Sequence, residues 1–162
     1  MPDHISAIAA IRALPAQLQH AVTGLTPAQL VARPVAHEWS IAQNVHHLAD
    51  SHMTAYIRCK LIASEDRPPL KAYDQDAWAA LPDGSNADIS TSLTLLAALH
   101  VRWADFFATL AISDWQRVGI HSASGEVSLE RQLIGYAAHG QEHLTQIDAV
   151  KAALGLSHRK DV

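Results

Sequence analysis

Four stretches of this chain repeat apolar residues at three- and four-residue steps, and no stretch of useful length alternates with the period of a strand. The last of these stretches constrains the molecule most. It runs Tyr136-Ala-Ala-His-Gly-Gln-Glu-His143-Leu-Thr-Gln-Ile147. Residues four apart on a helix project from the same face. His139 and His143 therefore share a stripe with Tyr136, Ile147, Val150 and Leu154, and that apolar stripe is the inward one. A buried polar group without a partner costs about 1–3 kcal/mol. Two rings on that stripe must each find one, and a single divalent metal ion satisfies both, neutral imidazole being the commonest metal-ligating side chain.

The other three periodic stretches give the frame. Ile5, Ile8, Ile11, Leu14, Leu18 and Val22 mark a helix from Asp3, its N-cap, to about Ala21, with Pro15 kinking or breaking it. Thr26-Pro27 opens a short helical turn. Ser40 caps a second long helix, running to about Ala63, with Gln43 completing a capping box and Trp39 before it as a possible staple. Pro68-Pro69 ends that region. A long crossover from Arg67 to Asn86 holds an aromatic and acidic patch, Tyr73-Asp-Gln-Asp-Ala-Trp78. A third helix spans about Ala87 to Ala111, followed by a short turn at Ile112–Trp115 and a loop or small extended excursion at His121–Glu126. Ser128 caps the last long helix, which ends near Gly155, and residues 156–162 form a polar tail. The expected fold is all-α, a four-helix bundle with two short extra helices in one domain covering residues 1–162.

Composition narrows the function. A formal net charge of −4 with no basic run argues against nucleic acid as a partner. Cys59 is the only cysteine, which excludes an intrachain disulfide. No apolar run reaches membrane-spanning length and no signal sequence opens the chain, so the expectation is a cytoplasmic protein without a membrane partner.

A catalytic zinc-type centre ordinarily takes three protein ligands and keeps a position open. The candidates for the third are His46, His47, His52, His100 and His121, and spacing alone leaves the choice open. Asp50 and Glu142 are possible carboxylates behind a ligand imidazole, each equally readable as a surface charge. His46 reads as an i, i+4 partner of Asp50, and His52 as a packed residue or one bonded to a polar neighbour. Asp74 reads as the cap of a short helix ahead of a pocket helper beside Tyr73, and Cys59 as a small core residue. Trp39, Trp78, Trp103 and Trp115 read as core. Arg58 and Arg102 read as partners of acids or as contacts to an anionic substrate.

The run Trp39-Ser-Ile-Ala-Gln-Asn-Val-His-His-Leu-Ala-Asp-Ser-His-Met53, with Tyr56-Ile-Arg58, Tyr73-Asp74, Ala77-Trp78, Leu99-His100, Arg102-Trp103 and the closing Tyr136…His139…His143 helix, closely resembles the YfiT-like branch of the DinB superfamily. The resemblance covers about residues 12–155. It implies a four-helix bundle holding one divalent ion, zinc or nickel, by three histidines with water or substrate completing the shell. The histidine before Leu-Ala-Asp in that family is a ligand, which is His47 here, and the other two map onto His139 and His143. Members of the branch carry a metal-dependent hydrolase label and are usually dimeric, which implies a homodimer acting on a small-molecule substrate. The wider superfamily includes thiol S-transferases using bacillithiol or mycothiol, and a mycothiol-dependent isomerase. The alternatives are thus hydrolysis by metal-activated water, thiol transfer from a low-molecular-weight thiol, and a non-catalytic module stabilised by its metal. No residue of the chain is singled out as a general base.

Overall fold

The computed structural model describes residues 4–156, so the expected Asp3 cap and residues 157–162 of the tail lie outside it. Its elements are α1 (His4–Val22), α2 (Pro27–Val31), α3 (Ile41–Ser64), β1 (Pro69–Leu70), α4 (Gln75–Ala79), α5 (Ser90–Ala108), a 3-10 turn (Ile112–Gln116), β2 (Val118–His121), β3 (Gly125–Ser128) and α6 (Leu129–Ala153). The four long helices form the bundle. α1 packs on α5 and α6, and α3 packs on the same two, so α1 and α3 lie diagonally.

The starts of these helices are built locally. Thr26 and Ser40 each form the full reciprocal capping box, with Gln29 and Gln43 respectively. Ser128 accepts from the backbone of Arg131 to open α6. Asp74 accepts from the backbone N–H of Asp76 and Ala77, so it caps α4. α5 is shorter than its apolar pattern predicts: residues 87–89 form part of the loop, where Asn86 and Asp88 accept backbone N–H bonds from Asp88 and Ser90. Side chains that compete for backbone donors delay a helix in this way.

A small three-stranded sheet, β1-β2-β3, was not expected. β1 runs parallel to β2, with Pro69 opposite Ile120, and β2 pairs antiparallel with β3. Strands of two to four residues offer too few positions for a period to show. The sheet packs its Leu70 and Val127 into the core and ties the crossover to the entry of α6.

The core is two apolar clusters. One contains Ile11, Ala55, Trp103, Phe107 and Leu133, and the other Leu14, Leu48, Leu96, Ile147 and Val150. On α3, α5 and α6 histidines stand between the two: His47 and His52, His100, and the pair His139 and His143. A polar layer therefore crosses the middle of the bundle. Of the four tryptophans expected in the core, Trp103 and Trp115 are buried, whereas Trp78 is exposed and Trp39 half-buried.

Candidate metal centre

Within this layer His47 from α3 and His139 and His143 from α6 turn their rings towards one point. Their donor nitrogens all lie within 4.8 Å of one another. Nε2 of His139 is 3.3 Å from Nε2 of His47 and 3.1 Å from Nε2 of His143. Two imidazole nitrogens bound tetrahedrally at about 2.0–2.1 Å stand about 3.3–3.4 Å apart, so the rings are spaced as ligands of one ion.

The hydrogen bonds behind the rings decide where their protons sit. Asn44 Nδ2 donates to Ser40 O at 2.9 Å, which leaves its Oδ1 facing His143 Nδ1 at 2.7 Å. His143 must donate from Nδ1, and its Nε2 keeps a lone pair. His139 is fixed through a longer chain. Pro15 lies inside α1 without breaking it. Proline has no N–H to give to the carbonyl four residues earlier, which is Ile11. His100 Nδ1 donates to that carbonyl at 2.5 Å. His100 Nε2 then accepts from His52 Nδ1 at 2.8 Å, and His52 Nε2 accepts from His139 Nδ1 at 3.1 Å. Because a carbonyl only accepts, the direction of the whole chain is set, and His139 Nε2 also points a lone pair inward.

Burial keeps these rings neutral. It lowers the pKa of His47 to about 4 and, with His139 and His47 nearby, that of His143 to about 3. His139 and His100 are lowered chiefly by burial as well, and His52 well below its ordinary value by burial and then by its histidine neighbours. The Nε2 lone pairs of His139 and His143, facing each other at 3.1 Å, repel unless a cation sits between them. The donor set therefore fits a divalent transition-metal ion.

Trp39 lies against this cluster, its ring centre 4.7 Å from that of His47 and 6.1 Å from that of His143. It does not act as a staple into the apolar core. Two cavities meet at His139. One, of about 450 Å3, is lined by Arg58, Tyr73, Arg131, Gln132 and Tyr136. The other, of about 380 Å3, is lined by Trp39, Asp76, Glu142 and His143. The centre is thus open on two sides.

The remaining candidates lie elsewhere. His46 does not pair with Asp50 on a solvated face; it is buried, with its ring nitrogens on Ser92 Oγ at 2.8 Å and Asn86 O at 3.2 Å. Asp50 sits beside His46 and Asp83, where burial raises its pKa, and it is Asn44 that lies behind the His143 ring. Glu142 is exposed at the second cavity. His121 borders the first cavity and accepts backbone bonds from Ala123 and Ser124. Cys59 is fully buried, and burial pushes its thiol up to about 12. Arg102 is exposed and donates to Tyr56. Asn44 and Gln132 were not singled out in the sequence. A polar residue within an apolar helical pattern was the available signal.

Residues 10–147 match the model of the DinB superfamily. A provisionally named metal-dependent hydrolase of Oceanobacillus iheyensis is 41% identical over 140 residues, 86% of this chain and 81% of that protein. YfiT of Bacillus subtilis, named in the same provisional way, is 38% identical over 93% of this chain and 85% of its own length. The solved structure of YfiT, described as a probable metal-dependent hydrolase with an unusual four-helix bundle topology, superposes with a TM-score of 0.90, covering 95% of this chain and 89% of that one at 37% identity. Fold, sequence match and relatives agree: the chain belongs to the DinB superfamily and is YfiT-like.

Proposed function

We propose that the protein is a metal-dependent hydrolase of a small molecule, with one zinc or nickel ion held by His47, His139 and His143. The observation that supports this most is the convergence of three neutral imidazoles, two of which, His143 and His139, have their protons directed outward by Asn44 and the His52–His100 chain. A structural zinc is ordinarily enclosed by four protein ligands, whereas this cluster borders two cavities. That contrast favours catalysis over a purely stabilising ion. A divalent ion in such a setting supplies Lewis acidity, lowering the pKa of a water to around 7 or holding a thiol as thiolate.

The chain's own residues provide the rest. Asn44 and His52 hold the rings of His143 and His139 in place before substrate arrives, so little reorganisation is needed there at the moment of reaction. Burial raises the phenols of Tyr73 and Tyr136, so both remain protonated and able to donate to a substrate oxygen in the first cavity. Trp39 restricts water at the cluster.

Thiol transfer is the second reading, and one feature bears on it directly. The only thiol in the chain is buried and unreactive, so the attacking sulfur comes from a low-molecular-weight thiol such as bacillithiol. Zinc- and nickel-loaded protein assayed with p-nitrophenyl esters and, separately, with monochlorobimane plus a thiol distinguishes the readings. Ester turnover that disappears in His139→Ala supports hydrolysis; thiol-dependent conjugation alone replaces it with transfer; neither activity contradicts catalysis. A homodimer is proposed as well, since α3 leaves Met53 and Ile57 exposed and α5 leaves Leu95 and Val101 exposed. Sedimentation equilibrium should then give twice the chain mass, and Ile57→Glu should halve it.

A further inference from the structure

The first cavity carries a charge pattern that the metal centre does not account for. Arg58, on α3, is only 7% exposed yet has no carboxylate within ion-pair distance among the described residues. Its guanidinium donates to the carbonyl of Lys71, interacts with the Tyr136 hydroxyl and stands 5.9 Å from the centre of the Tyr73 ring. A guanidinium has five N–H donors, so donors remain for the cavity. Arg131 borders the same space and among the described residues donates only to the backbone carbonyl of Glu126, whose carboxylate is taken by Arg67. None of the residues lining this cavity is acidic. The cavity on the other side of His139 is lined by Glu38, Asp76 and Glu142. The molecule thus presents a basic space and an acidic one on the two sides of a single histidine.

A second, independent feature lies in the basic space. Gln132 is 7% exposed, and its Oε1 is buried without a hydrogen-bond partner among the described residues. It borders the cavity together with Arg58. A buried charge without a counter-charge and a buried acceptor without a donor are both costly, and one ligand satisfies both. It needs a compact anionic group for Arg58 and an adjacent N–H or O–H for Gln132.

We infer that the substrate carries a carboxylate or phosphate that docks on Arg58, with an amide or hydroxyl beside it donating to Gln132 Oε1, which places its reactive end at His139. This specifies the substrate class of the centre proposed above and rests on that reading for the reactive end only. Arg131, exposed at the rim, draws the anion inward. Esters that carry a carboxylate should therefore be turned over faster than the neutral p-nitrophenyl esters.

The test is binding, followed by NMR of the Arg58 Nε–H signal in zinc-loaded protein titrated with succinate, inorganic phosphate and the neutral succinamide. Succinate or phosphate should shift that signal saturably, the better of the two naming the anion, and succinamide should not. Arg58→Gln should weaken anion binding about ten- to hundredfold, the range for a lost hydrogen bond to a charged group, while its zinc content stays equal to wild type. Arg58→Lys, which keeps the charge, should recover part of the binding. In His47→Ala the Arg58 signal should still respond, because the anion sits on the guanidinium. No shift with either anion, an equal response to succinamide, or binding that survives Arg58→Gln and vanishes in His47→Ala would overturn the inference. The last outcome places the anion on the metal. Should wild-type protein hold no zinc, the proposed activity fails, yet the titration still decides whether Arg58 is an anion site.

Discussion

At the scale of single residues, the centre depends on groups that never touch an ion. His100 reaches His139 only through His52, yet it sets the tautomer of both. Replacing it by Phe keeps a ring of similar size and removes the bond to Ile11 O. The proposed ligand chain then predicts about 10–100-fold weaker zinc binding, measured by competition with a chromophoric chelator, with His47 and His143 unchanged. Asn44→Asp keeps an acceptor for His143 Nδ1 and should bind zinc more tightly than Asn44→Leu. Cys59 gives a simpler expectation. Its thiol is fully buried with its pKa at about 12, so native protein should not react with Ellman's reagent at pH 8, and protein in guanidinium chloride should release one equivalent. Rapid reaction of the native form would show that the core around Trp103 is open.

At the scale of elements, α6 carries two glycines with opposite roles. Gly140 faces α1, where an added Cβ would lie 2.6 Å from Leu14 Cδ2, and Leu14 is itself buried. Gly140→Ala should destabilise by about 1–3 kcal/mol through overpacking and, being next to His139, should also weaken zinc binding. Gly135 has nothing within 4 Å. Gly135→Ala should stabilise the helix by about 0.5–1 kcal/mol while intruding on the basic cavity, which it borders. Thermal denaturation of the two variants checks both signs. The helices themselves were legible in the sequence because their information is local: apolar steps of three and four, and capping boxes at Thr26 and Ser40. The sheet was not, since β1 pairs with β2 across about fifty residues of chain and neither strand is long enough to show a period. The ligand chain was legible only as a set of histidines. Nothing near His52 in the sequence indicates that its partner is His100 on another helix, and the link from Pro15 through the freed carbonyl of Ile11 requires α1 and α5 to be packed together.

At the scale of the whole molecule, a histidine layer between two apolar clusters makes stability depend on pH and on metal. In metal-free protein, His47 and His143 have folded pKa values of about 4 and about 3 against an ordinary 6.5, and His52 and His100 are lowered too. Below pH 6.5 the unfolded chain takes up protons that the folded chain refuses, so stability rises with pH in that range. The melting temperature of metal-free protein should be level above about pH 7 and fall steadily from pH 6.5 towards pH 4. A bound ion should raise it at neutral pH by mass action and lose that effect as protons displace it from the imidazoles. The most direct measurement of the central claim is X-ray absorption at the zinc edge, with metal content, on wild-type protein, His47→Ala and His139→Ala. The account predicts one zinc per chain with three imidazole nitrogens at about 2.0–2.1 Å and a non-protein oxygen or sulfur in the open position, with the metal lost from both variants. Zinc retained at full occupancy in His47→Ala, or a shell closed by four protein ligands, would contradict it.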